Sequence, residues 1–275
     1  MSAVFVVMVI SVVAAPRVAS AQVTLGQTAS APMSQPLDVM LFPVEIGALS
    51  SHVGLQFGFA RATLTGLRGT ADLNVMNLGL QAQYAFADIV EVGINLPFLV
   101  HGWTSFGAGA ADTELGNIRL DVKVKLLGSS RGMFALSAFA NTTLPTTSGD
   151  IQRDFVLLQA GLAATGNIGP ATFGAALGTF ALIGGGNTDI VLFNADIFGA
   201  ARLHRMFGVQ VAMQIGVPIE PSGGEVALSV MPAVQFFPID NLHIDAGARI
   251  AITDTGKLYT TGGRAALVVA AAYNF

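Results

Sequence analysis

The sequence predicts an all-β fold, a closed antiparallel transmembrane β-barrel of about 12 strands that follows a cleaved signal peptide. Three observations carry that expectation. Apolar residues recur at every second position over segment after segment, the period a pleated strand imposes. The connections between segments alternate between short and longer. The chain is 52% hydrophobic and only 11% charged, with a mean hydropathy of +0.64, whereas a soluble domain carries roughly a quarter charged residues. Beyond the N-terminus, Gly (32 in all) and polar residues break the apolar runs well short of the roughly 20 residues of a spanning helix. In hydrocarbon the remaining way to satisfy the backbone is a closed barrel.

The domain reading runs 1–21, 22–51 and 52–275. Residues Ala3 to Ala15 form an apolar core before Pro16, and Ala19-Ser20-Ala21 supplies a small-x-small cleavage site ahead of Gln22, which reads as a secretory signal peptide. Its removal takes Arg17 and moves the net charge from −4 to −5, leaving no basic patch for nucleic acid. Residues 22–51, with Pro32, Pro36 and Pro43 and little alternation, read as a leader that lies in the periplasm or plugs the lumen.

From residue 52 the alternating segments are 52–64, 73–86, 89–100, 115–127, 133–144, 153–166, 171–183, 190–201, 207–218, 225–237, 242–253 and 264–275. An even count suits a bacterial barrel. The clearest hairpin is Leu78 to Val100. Leu80, Ala82, Tyr84 and Phe86 share one face and Gly79, Gln81 and Gln83 the other; after the Ala87-Asp88 turn, Val90, Val92, Ile94, Leu96, Phe98 and Val100 fall opposite Glu91, Gly93 and Asn95. In 52–64, 171–183 and 190–201 both faces hold apolar residues, so register there is open, and Ala171 to Ile183 would also suit a short Gly/Ala helix. Tyr84, Phe86, Phe134, Phe173, Phe207, Phe236, Tyr273 and Phe275 all fall beside the short turns or the C-terminus, where a periplasmic aromatic girdle is expected. Phe98, Trp103 and Phe106 stand at the opposite end. Gly54 and Gly58 read as kink or loop glycines.

Charged side chains at alternate positions define the interior. Arg119, Asp121, Lys123 and Lys125 oppose Ile118, Leu120, Val122 and Val124, and an Arg or Lys facing lipid at mid-membrane would cost about 2–4 kcal/mol. These four therefore point inward. A regular hairpin brings Glu91 opposite Lys123 or Lys125, and Asn95 near Arg119 or Asp121. His243, Asp245 and Arg249 form a second inward stripe. Each stripe reads either as a charged constriction lining a pore or as an ion-pair network that holds a filled barrel together.

No cofactor or metal is expected: Cys is absent, the four His are far apart, and no strand-to-helix phosphate cradle surrounds the glycines. A catalytic site is not expected either. The comparison case, a lipid hydrolase, needs Ser, His and an acid converging on the outward face. His101 and Ser105 share a rim, but the alternation through Val100 points His101 inward.

The last strand, with Leu267, Val269, Ala271 and Tyr273 alternating to a terminal Phe275, resembles the C-terminal assembly signal of Gram-negative outer-membrane β-barrels. Within that class, Tyr84-Ala-Phe-Ala-Asp88-Ile-Val-Glu91-Val-Gly93-Ile-Asn-Leu96-Pro97 resembles a hairpin of the outer-membrane proteins of the meta pathway of phenol degradation. So do Leu115-Gly116-Asn117-Ile-Arg-Leu-Asp121-Val-Lys123-Val-Lys125 and Leu144-Pro145-Thr146. The resemblance implies an outer-membrane location, recognition of Phe275 by the barrel assembly machinery, and a channel for small organic molecules, amphipathic or aromatic ones among them. The expected surroundings are outer-membrane lipid outside and a small solute within. A non-conducting structural barrel whose outer loops bind a partner is the alternative. An autotransporter translocator shares the strand count, with no passenger domain evident ahead of the barrel.

Overall fold

Alternation alone would give twelve equal staves, and the computed structural model departs from that at one place. It describes residues 48–66, 69–104, 112–129, 133–146, 155–184, 190–220, 224–239, 241–254 and 265–274. The signal peptide, the leader up to residue 47, Ser105, Phe106 and Phe275 lie outside the described residues.

The strands are β1 His52–Gly66, β2 Gly69–Phe86, β3 Val90–Thr104, β4 Asp112–Glu114, β5 Ile118–Gly128, β6 Phe134–Leu144, β7 Phe155–Ile168, β8 Ala171–Gly184, β9 Ile190–His204, β10 Phe207–Glu220, β11 Ala227–Ile239, β12 Leu242–Ala251 and β13 Ala265–Asn274. Apart from β4 and β5, each pairs antiparallel with its chain neighbours, and β1 closes on β13 from His52↔Asn274 to Arg61↔Ala265. Strand β4 and strand β5 both pair with β3, at Val100↔Glu114 and at Asn95↔Arg119 respectively. They form one interrupted stave, so the barrel has twelve. The segment 171–183 is a strand, not a helix.

The interruption has a local cause. Pro97 and Phe98 form a bulge opposite Leu78 and Gly79, and Gly116 comes in under it, its N–H donating to the Pro97 carbonyl at 2.7 Å. A Cβ on Gly116 would stand 2.6 Å from Pro97 Cβ, so only glycine fits. Thr146, just past β6, fastens the break: its N–H donates to Asn117 Oδ1 at 3.1 Å, its hydroxyl donates to the Gly116 carbonyl at 3.0 Å, and Ile118 N–H donates to that hydroxyl at 3.0 Å. The two separated stretches Leu115–Asn117 and Leu144–Thr146 thus belong to one structural feature.

The same bulge corrects one reading of the sequence. One extra residue in β3 flips the side chains beyond it, so Val100 faces inward with no exposure, paired to Asn77, while His101 pairs with Met76 on the outward face. Gly54 and Gly58 lie within strand β1, so neither is a loop glycine. The β2–β3 turn matches expectation: Ile89 N–H closes it on the Phe86 carbonyl at 2.9 Å, and its central residues Ala87 and Asp88 are both at positive φ (49° and 52°), as a type I′ turn demands.

Burial separates the two faces. Leu55, Val92, Leu120, Val122, Leu162, Leu177, Val211 and Leu267 are exposed, whereas His52, Gln56, Gln81, Asn95, Ser137, Thr143 and Ser229 are buried. Apolar outside and polar inside is the inverse of a soluble protein and the arrangement of a barrel in lipid. Tyr84, Phe86, Phe134, Phe173, Phe207 and Tyr273 project outward beside the short turns. At the other end Trp103 stacks near Phe59, with ring centroids 6.0 Å apart.

Candidate lumenal site

The inner wall is built by strand periodicity: each inward residue is two positions from the next, and register decides which side chains meet across strands. Along β3 and β5 the pairs are Glu91↔Lys123, Gly93↔Asp121 and Asn95↔Arg119. Of the pairings the sequence allowed, these are the ones formed. Lys123 Nζ reaches Glu91 Oε1 at 3.0 Å, Arg119 Nε reaches Asp121 Oδ1 at 2.8 Å, and Lys125 pairs with Asp88 of the β2–β3 turn. Each inward cation of β5 has a carboxylate partner, so the stripe is close to neutral.

The second stripe is also inward. Asp245 and Arg249 are buried, at 0% and 1% exposure, and His243 Nε2 lies 3.8 Å from Asp245 Oδ2. Arg249 donates to Gln214 Oε1 of β10 at 3.0 Å.

Two residues absent from the sequence-derived set tie the stripes together. Asp196 of β9 is buried, accepts from Asn194 Nδ2 at 3.1 Å, and is within electrostatic reach of both Arg249 and Arg119. His52, wholly buried at the start of β1, is within electrostatic reach of Lys123 and His243 and bonds the Ser50 hydroxyl through Nδ1 at 3.0 Å. The inward apolar residues of β9 had masked the alternation around Asp196. The alternating Gln210 and Gln214 of β10 were visible in the sequence, but uncharged amides did not single themselves out.

Glycines let inward side chains lie flat over neighbouring strands. Gln56 Nε2 of β1 crosses Gly79 of β2 to donate to Asn95 Oδ1 of β3 at 2.7 Å, and a Cβ on Gly79 would meet that same Nε2 at 2.7 Å. Asn77 covers Gly58, Gln83 covers Gly93, and Phe198 covers Gly174. Small residues occupy many inward positions, among them Ala135, Ser137, Ala163, Ala212, Ala227, Ser229, Ala266 and Ala270, all buried.

Other inward positions hold large side chains. Two apolar clusters stand on the inner wall: Leu157, Phe180, Leu192 and Ala227 with Leu182 and Ile190 near the loop end, and Phe198, Ala212, Met231, Ala233 and Val268 lower down. The interior is therefore mixed: charged and amide side chains line most of the wall, and two large apolar patches stand among them on β7 through β11 and β13.

The chain also enters β1 from inside. Ala48 and Leu49 are buried, Ser50 N–H donates to Glu91 Oε2 at 2.6 Å, Lys123 Nζ donates to the Ala48 carbonyl at 3.3 Å, and Ala85 N–H donates to Ser51 Oγ at 3.0 Å. The last residues of the leader are thus held against the inner wall at the turn end.

On the outer rim, His101 Nδ1 is 2.7 Å from Thr113 Oγ1, and the carboxylate of the same short strand, Glu114, pairs in register with inward Val100. Among the described residues no three His, Cys, Asp or Glu side chains are grouped to hold a metal.

No profile of a known protein family matches the chain, and no curated protein matches it in sequence. Solved structures do match in fold. The COG4313 outer membrane channel from Pseudomonas putida F1 superposes with a TM-score of 0.58 at 12% identity, over 82% of this chain and 96% of that one. The NanC porin gives 0.56 at 5% identity, over 81% and 100%. The translocator domain of autotransporter NalP from Neisseria meningitidis gives 0.55 at 11% identity, over 88% and 94%. The fold is that of the bacterial outer-membrane β-barrel, as the resemblance drawn from the sequence implied.

Proposed function

We propose that the chain sits in the outer membrane as a narrow passive pore for small solutes, amphipathic ones in particular, with its leader partly occluding the lumen, and that it is not an enzyme. The observation that carries this reading is the mixed interior, in which inward charged and amide side chains stand beside the large apolar clusters of β7–β11 and β13. A solute with one polar and one apolar side finds both surfaces along the wall. Twelve strands fall between small barrels of about eight, which side chains fill, and porins of about 16–18 with a water channel. The lining residues then decide the width. His52, Gln56, Gln81, Glu91 and Asn95 are at most 2% exposed, so the passage at their height is narrow. The fold neighbours called a channel and a porin support the pore, and the Ala48–Ser51 contacts support entry of the leader into the lumen.

The competing account is a filled barrel that conducts nothing and binds a partner through its loops. The paired charges of β3 and β5 favour it, because neutralised ions hold walls together. Swelling of liposomes carrying the refolded chain separates the two. Small alcohols and short amphipathic solutes should enter and oligosaccharides should not; liposomes that swell no faster than empty ones in any solute would leave the filled barrel as the better account.

A further inference from the structure

The wall formed by β10 to β13 carries buried polar groups that take part in no hydrogen bond. Asp245 has no exposure, and neither of its carboxylate oxygens receives a hydrogen bond. His243 Nε2, at 3.8 Å, is beyond hydrogen-bond range, and the Gln235 amide is near but outside hydrogen-bond geometry. The other inward cations are committed elsewhere: Arg249 to Gln214 with Asp196 in reach, Lys123 to Glu91, Arg119 to Asp121. Gln210, 2% exposed, has both amide atoms without a hydrogen bond.

Register places these groups around a shallow floor. Gln235 pairs with Gly208 and with Asp245, Gln210 with Ala233, Ala233 with Gly247, and Asp245 with Ala270. A Cβ on Gly247 would come 2.7 Å from Ala233 Cβ, so the floor is as low as the sheet allows. Ala233 also belongs to the apolar cluster with Met231 and Val268.

We propose that this recess binds a primary ammonium group carrying a short apolar tail. A carboxylate withdrawn from water with no cation in hydrogen-bond contact is costly, and an ammonium brings a full charge and three donors. Asp245 takes the charge, the Gln210 and Gln235 carbonyls take the remaining donors, and the tail lies along Ala233, Val268 and Met231. Unbranched glutamine side chains swing aside by rotamer changes to admit it. The inference rests on the reading of the interior as open to solutes.

The test is saturation-transfer NMR of n-butylammonium with the refolded full-length barrel in micelles at about pH 8.5, where an alkyl amine is still protonated. 1-Butanol serves as the neutral match and KCl as competitor. Binding of the ammonium, none of the alcohol, and a loss of about ten-fold in Asp245→Asn would support the site. If Asp245→Asn does not fold, Gln210→Leu should weaken binding several-fold. Equal binding of butanol, full binding in a folded Asp245→Asn, or displacement by equimolar KCl would overturn it. Conductance is read separately: a barrel that conducts but binds no butylammonium sinks this site alone, and one that binds but does not conduct sinks the pore alone.

Discussion

Glu91 is shared between Lys123 and the chain that enters the barrel: Oε1 receives the Lys123 ammonium at 3.0 Å and Oε2 the Ser50 N–H at 2.6 Å. Because Lys123 also donates to the Ala48 carbonyl, one ion pair clamps both ends of the Ala48–Ser50 segment. Charge-assisted hydrogen bonds are about twice as strong as neutral ones, so Glu91→Gln should loosen the segment without changing its shape. In a Ser50→Cys background, Glu91→Gln is expected to raise the rate of modification by a charged thiol reagent several-fold. The native chain has no Cys to confuse the reading. An unchanged rate would mean that packing of Ala48 and Leu49 holds the segment instead.

The inward assignment of β5 is open to the same chemistry. Cysteines at 119, 121 and 123 should react with a small water-soluble thiol reagent in the folded barrel, and cysteines at 118, 120 and 122 should be shielded by lipid or detergent. The opposite pattern would put the strand one residue out of register, since a slip of one turns every side chain over.

Gly79 owes its identity to the side chain that lies over it. Gly79→Ala would press Cβ against Gln56 Nε2 and break the bond to Asn95, an overpacking and hydrogen-bond loss of about 1–3 kcal/mol. Gly166→Ala is the control, because its added Cβ meets nothing nearer than 3.8 Å. The heat needed to abolish the compact form on a gel should fall for the first variant and stay put for the second. Equal falls would show that strand glycines matter here for backbone reasons alone.

What was legible in the sequence was whatever follows from a period of two. The fold class, the Ala87-Asp88 turn, the turn-end aromatics and the inward face of β5 all obey it, and a regular hairpin brings Glu91 opposite Lys123 or Lys125, of which the structure selects Lys123. Failures came where the period breaks. A bulge at Phe98 reversed Val100 and His101, and no alternation can announce an inserted residue. In β9 the inward Leu192 and Phe198 flank Asn194 and Asp196 while Phe193 and Ile197 face outward, so apolar residues on both faces leave no stripe to read. His52 went unplaced because its partners, Lys123 and His243, lie on strands distant in the chain. The leader contacts were invisible for the same reason, since they join residue 48 to residue 123.

The account turns on whether the lumen conducts once the leader is removed, and single-channel recording in planar bilayers decides it. The measurement compares the full chain with a variant lacking residues 24–47, which leaves the Ala48–Ser51 contacts in place. The account predicts small discrete openings for the full chain and clearly larger ones for the deletion variant, with the heat-modifiable fold retained. A deletion variant that folds and inserts yet passes no current would contradict it: the lumen would then be packed by its own side chains.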